Sequence, residues 1–175
     1  MNRARTAYPR VLVALPAAAL LGLAACRRET PIEPPKIVFG EDTCVQCNMI
    51  INDERFAAGA VVRAADGTRT RVAFDDIGCL LEFARVRPAD ALLAVYVKDY
   101  PTKQWCDARA ARYLHSPQLA TPMASGLAAG RTPQALEELR RTCAGELLGY
   151  DQLAQLSRPS AASPPLGNHP EGERP

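Results

Sequence analysis

The first 25 residues restrict where the folded part of this chain can begin. Residues 1–10 carry three arginines and no acidic residue, and residues 11–25 form an apolar run that ends in small side chains. A basic head, a short apolar stretch and small residues before a cleavage site are the pattern of a secretory signal, which is removed from the mature protein. The apolar run is shorter than the roughly 20 residues that a transmembrane helix needs. The sequence therefore predicts an exported protein with a signal peptide at residues 1–25.

The end of this signal contains the motif Leu23-Ala24-Ala25-Cys26, which resembles the lipobox of bacterial lipoproteins. In those proteins the cysteine is lipidated and becomes the first residue of the mature chain. We therefore expect Cys26 to carry a diacylglyceryl and acyl anchor in a lipid bilayer of the bacterial cell envelope, facing the periplasm. Arg27 follows it, where some lipoproteins have an aspartate that retains them in the inner membrane. Attachment to the outer membrane is therefore favoured.

Both ends of the mature chain are poor in bulky apolar residues. Residues 26–36 contain three prolines and are predicted to form a lipidated tether, and residues 158–175 are rich in Pro, Gly, Ser and Ala. Such segments bury too little surface to offset their ordering entropy, so a disordered tail is expected.

Loss of the three signal arginines leaves 18 basic against 19 acidic residues, a net charge of −1. Without a basic surface, nucleic acid is not an expected partner.

The first part of the remaining segment, residues 37–98, has the pattern of one ββαβ unit. Two strand-like runs, residues 56–63 and 68–74, flank Asp66-Gly67, a frequent hairpin turn. Asp75 is predicted to cap a helix that ends before Pro88. A Leu- and Val-rich run over residues 91–97 then predicts a buried strand.

The second part, residues 99–157, can be interpreted as a repeat of that order. Residues 104–108 and 111–115 are predicted as two short strands, and residues 117–130 as a loop. Thr132 and Pro133 open a helix that runs to about Cys143, and residues 146–150 predict a last strand. The expected architecture is therefore α+β, with two small ββαβ units in one domain over residues 37–157.

The cysteines of the mature chain bear on both stability and chemistry. Once Cys26 is set aside, five remain, and an odd number cannot form a complete disulfide framework. At least one thiol needs another role, because compartments outside the cytoplasm favour disulfides. Cys106 and Cys143 could pair with each other, and Cys79, at a helix start, is expected to be a small buried hydrophobe. The five are Cys44, Cys47, Cys79, Cys106 and Cys143.

The motif Cys44-x-x-Cys47-x-Met49 concentrates three sulfur atoms in six residues. Soft thiolate and thioether ligands select soft ions, of which Cu(I) is the main biological example. The motif therefore predicts a Cu(I) site formed by Cys44, Cys47 and Met49.

Three other interpretations of the cysteine pair stay open. It could be the redox pair of a membrane-tethered thiol-disulfide oxidoreductase, although no βαβ pattern surrounds it. It could be half of a structural zinc site completed by Cys79, Cys106, Cys143 or His115. It could also be a plain disulfide. No nucleophile–base pair, phosphate loop or paired-carboxylate signature is visible, and a protein that is not an enzyme is expected.

Beyond the cysteine motif, several further segments resemble the NosL family in order and spacing across nearly the whole folded region. These segments are Arg55-Phe56-Ala57-Ala58, Phe74-Asp75-Asp76-Ile77-Gly78-Cys79-Leu80, Val97-Lys98-Asp99-Tyr100, Trp105, Ala111-Arg112-Tyr113 and Thr121-Pro122-Met123. The resemblance implies an α+β fold of two ββαβ units and a lipoprotein copper(I) chaperone that delivers copper for the copper centres of nitrous oxide reductase. The implied partners are that reductase or its maturation transporter complex, with a copper donor that the resemblance does not identify.

The resemblance places the family's metal motif on Cys44, Cys47 and Met49. Met123, in the Thr-Pro-Met segment, and His115 are further candidate ligands for Cu(I). The chain departs from the family pattern at Ala124, where glycine is expected. Because Ala124 directly follows Met123, this difference bears on the geometry of the loop around Met123.

Overall fold

A computed structural model describes residues 32–156 of the chain. The predicted signal peptide, Cys26 and the predicted tail at residues 158–175 lie outside these residues. The predicted α+β class is confirmed, with two small antiparallel sheets and three short α-helices among the described residues. The strands are β1 (Ala58–Arg63), β2 (Arg69–Phe74), β3 (Leu92–Lys98), β4 (Trp105–Asp107), β5 (Arg112–His115), β6 (Leu127–Gly130) and β7 (Glu146–Gly149); the helices are α1 (Ile77–Arg85), α2 (Glu137–Thr142) and α3 (Tyr150–Leu156).

The first sheet has the strand order β2-β1-β3-β4 and is antiparallel throughout. Its hairpin closes as the sequence predicts: the N–H of Ala64 donates to the Thr68 carbonyl at 2.8 Å, and Gly67 takes a φ of 82°. That left-handed conformation suits glycine, which has no Cβ to clash with the backbone. Helix α1 follows β2 and contacts β1 and β2, and β3 then pairs with β1 to complete the first ββαβ unit.

The second sheet has the order β6-β5-β7 and repeats the topology of β2-β1-β3. The sequence assignment of its strands was wrong in part. The segment predicted at residues 104–108 forms β4, which pairs with β3 in the first sheet. The hairpin partner of β5 is instead β6, within the segment predicted as a loop. Strand β6 is buried on both faces, so it lacks the alternation that marks a half-buried strand.

Of the two helix starts predicted from the sequence, one is found as expected and the other is displaced by one residue. Thr132 accepts a hydrogen bond from the Ala135 N–H at 3.3 Å, and Pro133 opens a short 3₁₀ turn (Pro133–Leu136) that leads into α2, as expected. For α1 the cap is Asp76 and not Asp75: Asp76 has extended backbone angles, and its side chain accepts from the Gly78 N–H. The carboxyl group of Asp75 instead accepts from the Asn52 N–H. Helix α3, which follows β7 without a break, was not predicted.

One large apolar cluster lies under both sheets. It includes Phe74 and Phe83, whose rings meet edge to face, and reaches Tyr113 and Leu148 of the second sheet. The buried Tyr113 hydroxyl donates to the Ala108 carbonyl at 2.6 Å, which satisfies its polar end. Among residues 32–156, no helix has the length and apolar character needed to cross a bilayer.

The end of the predicted tether contacts the first sheet. Tyr96 donates its hydroxyl hydrogen to the Ile32 carbonyl, and Arg71 forms an ion pair with Glu33 at 3.2 Å. Pro35 lies against Gly59 so closely that a Cβ on this glycine would be 2.5 Å from the proline ring. Residues 32–36 are therefore part of the folded domain.

Cys106 and Cys143 do not form the disulfide that the sequence left open. Both are free thiols. Cys106 packs against the large apolar cluster and donates its S–H to the Val97 carbonyl, whereas Cys143 packs against a second cluster around Leu114 and Leu136. Burial raises the pKa of Cys106 to about 11, which keeps this thiol protonated at neutral pH.

The buried Asp99 links the two sheets, and its removal is expected to destabilise the fold. Its carboxyl oxygens accept from the Arg131 N–H at 2.8 Å and from the Thr102 hydroxyl. Asp99→Ala leaves these donors without an acceptor, so we expect a loss of about 2 kcal/mol in the free energy of unfolding, measured by urea denaturation. Asp66→Ala, in the exposed hairpin turn, is the control and should cost well under half as much. Equal effects would contradict the role of Asp99.

Candidate metal centre

The cysteine motif lies in a tight loop, residues 43–50, that we call the cysteine loop. Thr43 and Ile50 pair in an antiparallel bridge, and the Cys44 N–H donates to the Met49 carbonyl at 2.8 Å. The Asn48 N–H donates back to the Cys44 carbonyl at 2.9 Å, with Asn48 at a φ of 64°. Asparagine tolerates this left-handed conformation better than most residues. These bonds fix both cysteines on one closed turn.

The cysteine loop is attached to the first sheet. The Val45 N–H donates to the Ala73 carbonyl of β2 at 3.1 Å, while the Ile51 N–H closes the base of the loop by donating to the Asp42 carbonyl at 2.8 Å. This attachment buries Cys44 completely and leaves Cys47 half-buried. The loop thereby lies next to the start of α1.

The structure brings a third cysteine into the site. Cys79 is in the first turn of α1, and the Sγ atoms of Cys44, Cys47 and Cys79 all lie within 4.8 Å of one another. The sequence predicted Cys79 as a small buried hydrophobe. It is indeed buried, but its sulfur faces the two others. The odd cysteine count, and the position of Cys79 within the family-like segment at residues 74–80, were the signals in the sequence that could have indicated this.

The surroundings of Cys44 favour a thiolate. The Cys79 thiol donates a hydrogen bond to the Cys44 sulfur and lowers the pKa of Cys44. Burial opposes this effect, whereas the backbone N–H groups of Asp75, Cys47 and Gln46 lower the pKa further, and the net pKa is about 5. A buried sulfur that is surrounded by donors is prepared to carry the negative charge that a metal ligand needs.

The other two thiols hold their protons more firmly. Donation to Cys44, together with burial, raises the pKa of Cys79 far above its ordinary value. Burial also raises the pKa of Cys47, partly offset by a hydrogen bond from the Met49 N–H. Metal ligands must be deprotonated, so binding of an ion to all three sulfurs would release protons from Cys47 and Cys79.

A cavity of about 440 Å³ opens beside the thiol cluster. It is lined by two of the three cysteines and by both further candidate ligands, on the cysteine loop, α1, β5 and the turn before β6. The residues lining it include Cys47, Cys79, His115 and Met123. Met49, in contrast, is 57% exposed and does not line this cavity. The structure thus places Met123 and His115 on the same side of the cluster, and Met49 at the surface of the cysteine loop.

Met123 is carried by a closed turn, residues 121–126, that we call the methionine loop. The Ala124 N–H donates to the Thr121 carbonyl at 3.0 Å, and the Gly126 N–H donates to the Thr121 hydroxyl at 3.3 Å. Ala124 has a φ of 55°, which costs a residue with a Cβ about 1–2 kcal/mol. This explains why a glycine is expected at position 124 in the family pattern.

The cluster is unlike the active site of a thiol-disulfide oxidoreductase. The nucleophilic cysteine of such a pair is exposed at a helix N-terminus and has a lowered pKa. Here Cys44, which has the lowered pKa, is fully buried in a hairpin loop, and the more accessible Cys47 has a raised pKa. Three sulfurs that converge next to an open cavity are better suited to hold a soft metal ion.

The fold and the site together define a small α+β domain with a cluster of three cysteines that could hold a metal ion. The family model for NosL matches residues 35–157, and the chain belongs to the NosL family.

Among solved structures, the chain is similar to the crystal structure of the copper chaperone NosL from Shewanella denitrificans. The two share 17% sequence identity with a TM-score of 0.60, and the match covers 73% of this chain and 99% of the other. At this identity the likeness establishes the fold. A comparison with curated proteins gives no significant match.

Proposed function

We propose that this protein is a copper(I) chaperone that carries its ion on the sulfur atoms of Cys44, Cys47 and Cys79. The observation that carries the proposal is the convergence of these three Sγ atoms within 4.8 Å at the edge of a cavity. Membership of the NosL family and the fold shared with a protein described as a copper chaperone support the choice of copper.

The donor set favours monovalent copper over zinc. Cu(I) is satisfied by two or three soft ligands, whereas structural zinc is held by four ligands in a closed site. The cluster supplies three thiols, and the cavity beside it is also lined by Met123, whose thioether binds hard ions poorly. Met123 is 43% exposed, so the cavity side of the site is open and not closed.

The three thiols differ in burial, so the metal site is accessible from the side of Cys47. Cys44 and Cys79 are buried and hold the ion from the protein side, while Cys47 is half-buried and lines the cavity. An incoming ligand reaches the metal from that side. We therefore assign Cys47 as the thiol that an acceptor displaces first, with Met123 as the soft donor on the open side and His115 as a further candidate ligand there.

Met49, which the sequence predicted as a ligand, occupies a different place. Its side chain is exposed on the cysteine loop, next to the exposed Ile50. Its ligand role stays a prediction. The Met49 N–H already contributes to the site, because it donates to the Cys47 sulfur.

The acceptor that we propose is nitrous oxide reductase or its maturation transporter complex, which is what the resemblance to the NosL family implies. The same proposal makes the protein a periplasm-facing lipoprotein that is anchored through Cys26, with the outer membrane favoured. No catalytic turnover is part of this function.

A competition titration tests the proposal. We expect the reduced full-length protein to take up one Cu(I) per chain from a competing chelator, and to retain it in the presence of equimolar Zn(II), because the ligands are soft. Cys106→Ser, which changes a thiol outside the cluster, should bind like the unchanged protein. Failure to retain Cu(I), together with efficient reduction of a disulfide substrate, would instead support the oxidoreductase.

A further inference from the structure

We propose that Asp76 is a positioning residue that holds Met123 beside the three-cysteine cluster, an inference that rests on the copper-binding function proposed above. The observation is that one buried carboxyl group joins the helix turn that carries Cys79 to the loop that carries Met123. Asp76 acts on the backbones of these two elements, and both of its oxygens are occupied by that task.

The two oxygens of Asp76 have separate partners. Oδ1 accepts from the Gly78 N–H at 2.6 Å and caps α1, while Oδ2 accepts from the Met123 N–H at 3.0 Å, across 47 positions of sequence. The side chain is fully buried, so water does not compete for either bond. Hydrogen bonds are directional, so the bond to Oδ2 fixes where the Met123 backbone lies relative to Cys79.

The two elements that Asp76 joins also pack closely. A Cβ on Gly78 would lie 2.8 Å from the Cβ of Ser125, so the methionine loop rests directly on the first turn of α1. Glycine at position 78 allows this approach, and Asp76 fixes the register of the contact. Because the methionine loop is closed by its own hydrogen bonds, a link at Met123 positions the whole loop.

Asp76→Asn separates the two tasks of this side chain. Asparagine caps helices about as well as aspartate, so its carbonyl oxygen can keep the bond to Gly78. Its NH₂ group then faces the Met123 N–H, and two donors cannot bond to each other. The substitution therefore releases the methionine loop while it preserves the start of α1. Asp66→Asn, the same change in the exposed hairpin turn, is the matched control.

The expected result is a loss of about tenfold in Cu(I) affinity for Asp76→Asn, the size typical for residues that orient a metal ligand. Met123→Ala should lose a similar factor, and the double variant should lose no more than Met123→Ala alone. Such non-additivity shows that Asp76 acts through Met123. A loss of affinity that persists in the Met123→Ala background, or unchanged affinity in either single variant, overturns the proposal.

A measurement on the copper-free protein separates this inference from the proposed function. Hydrogen exchange of the amides in residues 121–126 should become faster in Asp76→Asn, while exchange in α1 stays unchanged. Unchanged exchange in the methionine loop refutes the positioning role even if copper binds tightly. Faster exchange in a protein that fails to bind Cu(I) refutes the chaperone and leaves the link between Asp76 and the methionine loop in place.

Discussion

Cys79→Ser is expected to weaken Cu(I) binding by about 1,000-fold, equivalent to about 4 kcal/mol, as judged by competition with a chelator of known affinity. Serine replaces a soft thiolate with a hydroxyl group, which is a poor ligand for Cu(I). The hydroxyl can still donate to the Cys44 sulfur as the Cys79 thiol does, so the local fold should survive. The loss would thus reflect a missing ligand and not a collapsed site.

Two cysteines outside the cluster serve as controls for this prediction. Cys106→Ser and Cys143→Ser change free thiols of the same domain that lie away from the three sulfurs. Both should leave Cu(I) affinity within about twofold, because substitutions away from a site change its properties little. Wild-type affinity in Cys79→Ser would show that Cys44 and Cys47 hold the ion without it.

Gly126→Ala is expected to be the most damaging small substitution in the second unit. Gly126 has a φ of 65°, and a Cβ there would lie 2.3 Å from the Ser116 carbonyl oxygen. The left-handed conformation costs about 1–2 kcal/mol for alanine, and the clash with the backbone forces β6 and the methionine loop to shift. Adding this conformational cost to the roughly 1–3 kcal/mol that overpacking produces, we expect a total loss of about 3–4 kcal/mol in the free energy of unfolding.

The matched control for this substitution is Gly67→Ala. Gly67 has a φ of 82°, but a Cβ at this position would have no other atom within 4 Å, so only the conformational cost applies. Its expected loss is about 1 kcal/mol. Chemical denaturation of both variants therefore isolates the close approach of Gly126 to Ser116. Equal losses in the two variants would mean that the backbone of Ser116 moves away freely.

The first ββαβ unit could be predicted from sequence because its signals are local. Asp66-Gly67 marks the hairpin, and apolar spacing marks α1. The second unit lacked such signals: β6 is a short, fully buried strand that begins immediately after Gly126, and β4 is a three-residue strand that pairs with β3 of the first sheet. Which sheet a short strand joins depends on long-range contacts, and local propensity does not encode them.

From spacing alone, the candidate site was predictable only where its residues are adjacent in sequence, and Met123 became a candidate through the family resemblance. Cys44 and Cys47 form a motif, so their proximity could be inferred. Cys79 lies 32 positions after Cys47, and only the packing of the cysteine loop against α1 brings its sulfur into the cluster. The same holds for Asp76, whose bond to Met123 spans 47 positions.

X-ray absorption at the copper K-edge tests the central claim most directly, because it counts the sulfur atoms around the metal. For the reduced, Cu(I)-loaded protein, we expect a shell of at least three sulfurs, which loses one sulfur in Cys79→Ser and none in Cys106→Ser. A sulfur shell that is identical in Cys79→Ser and the unchanged protein would contradict a copper site built on three cysteines.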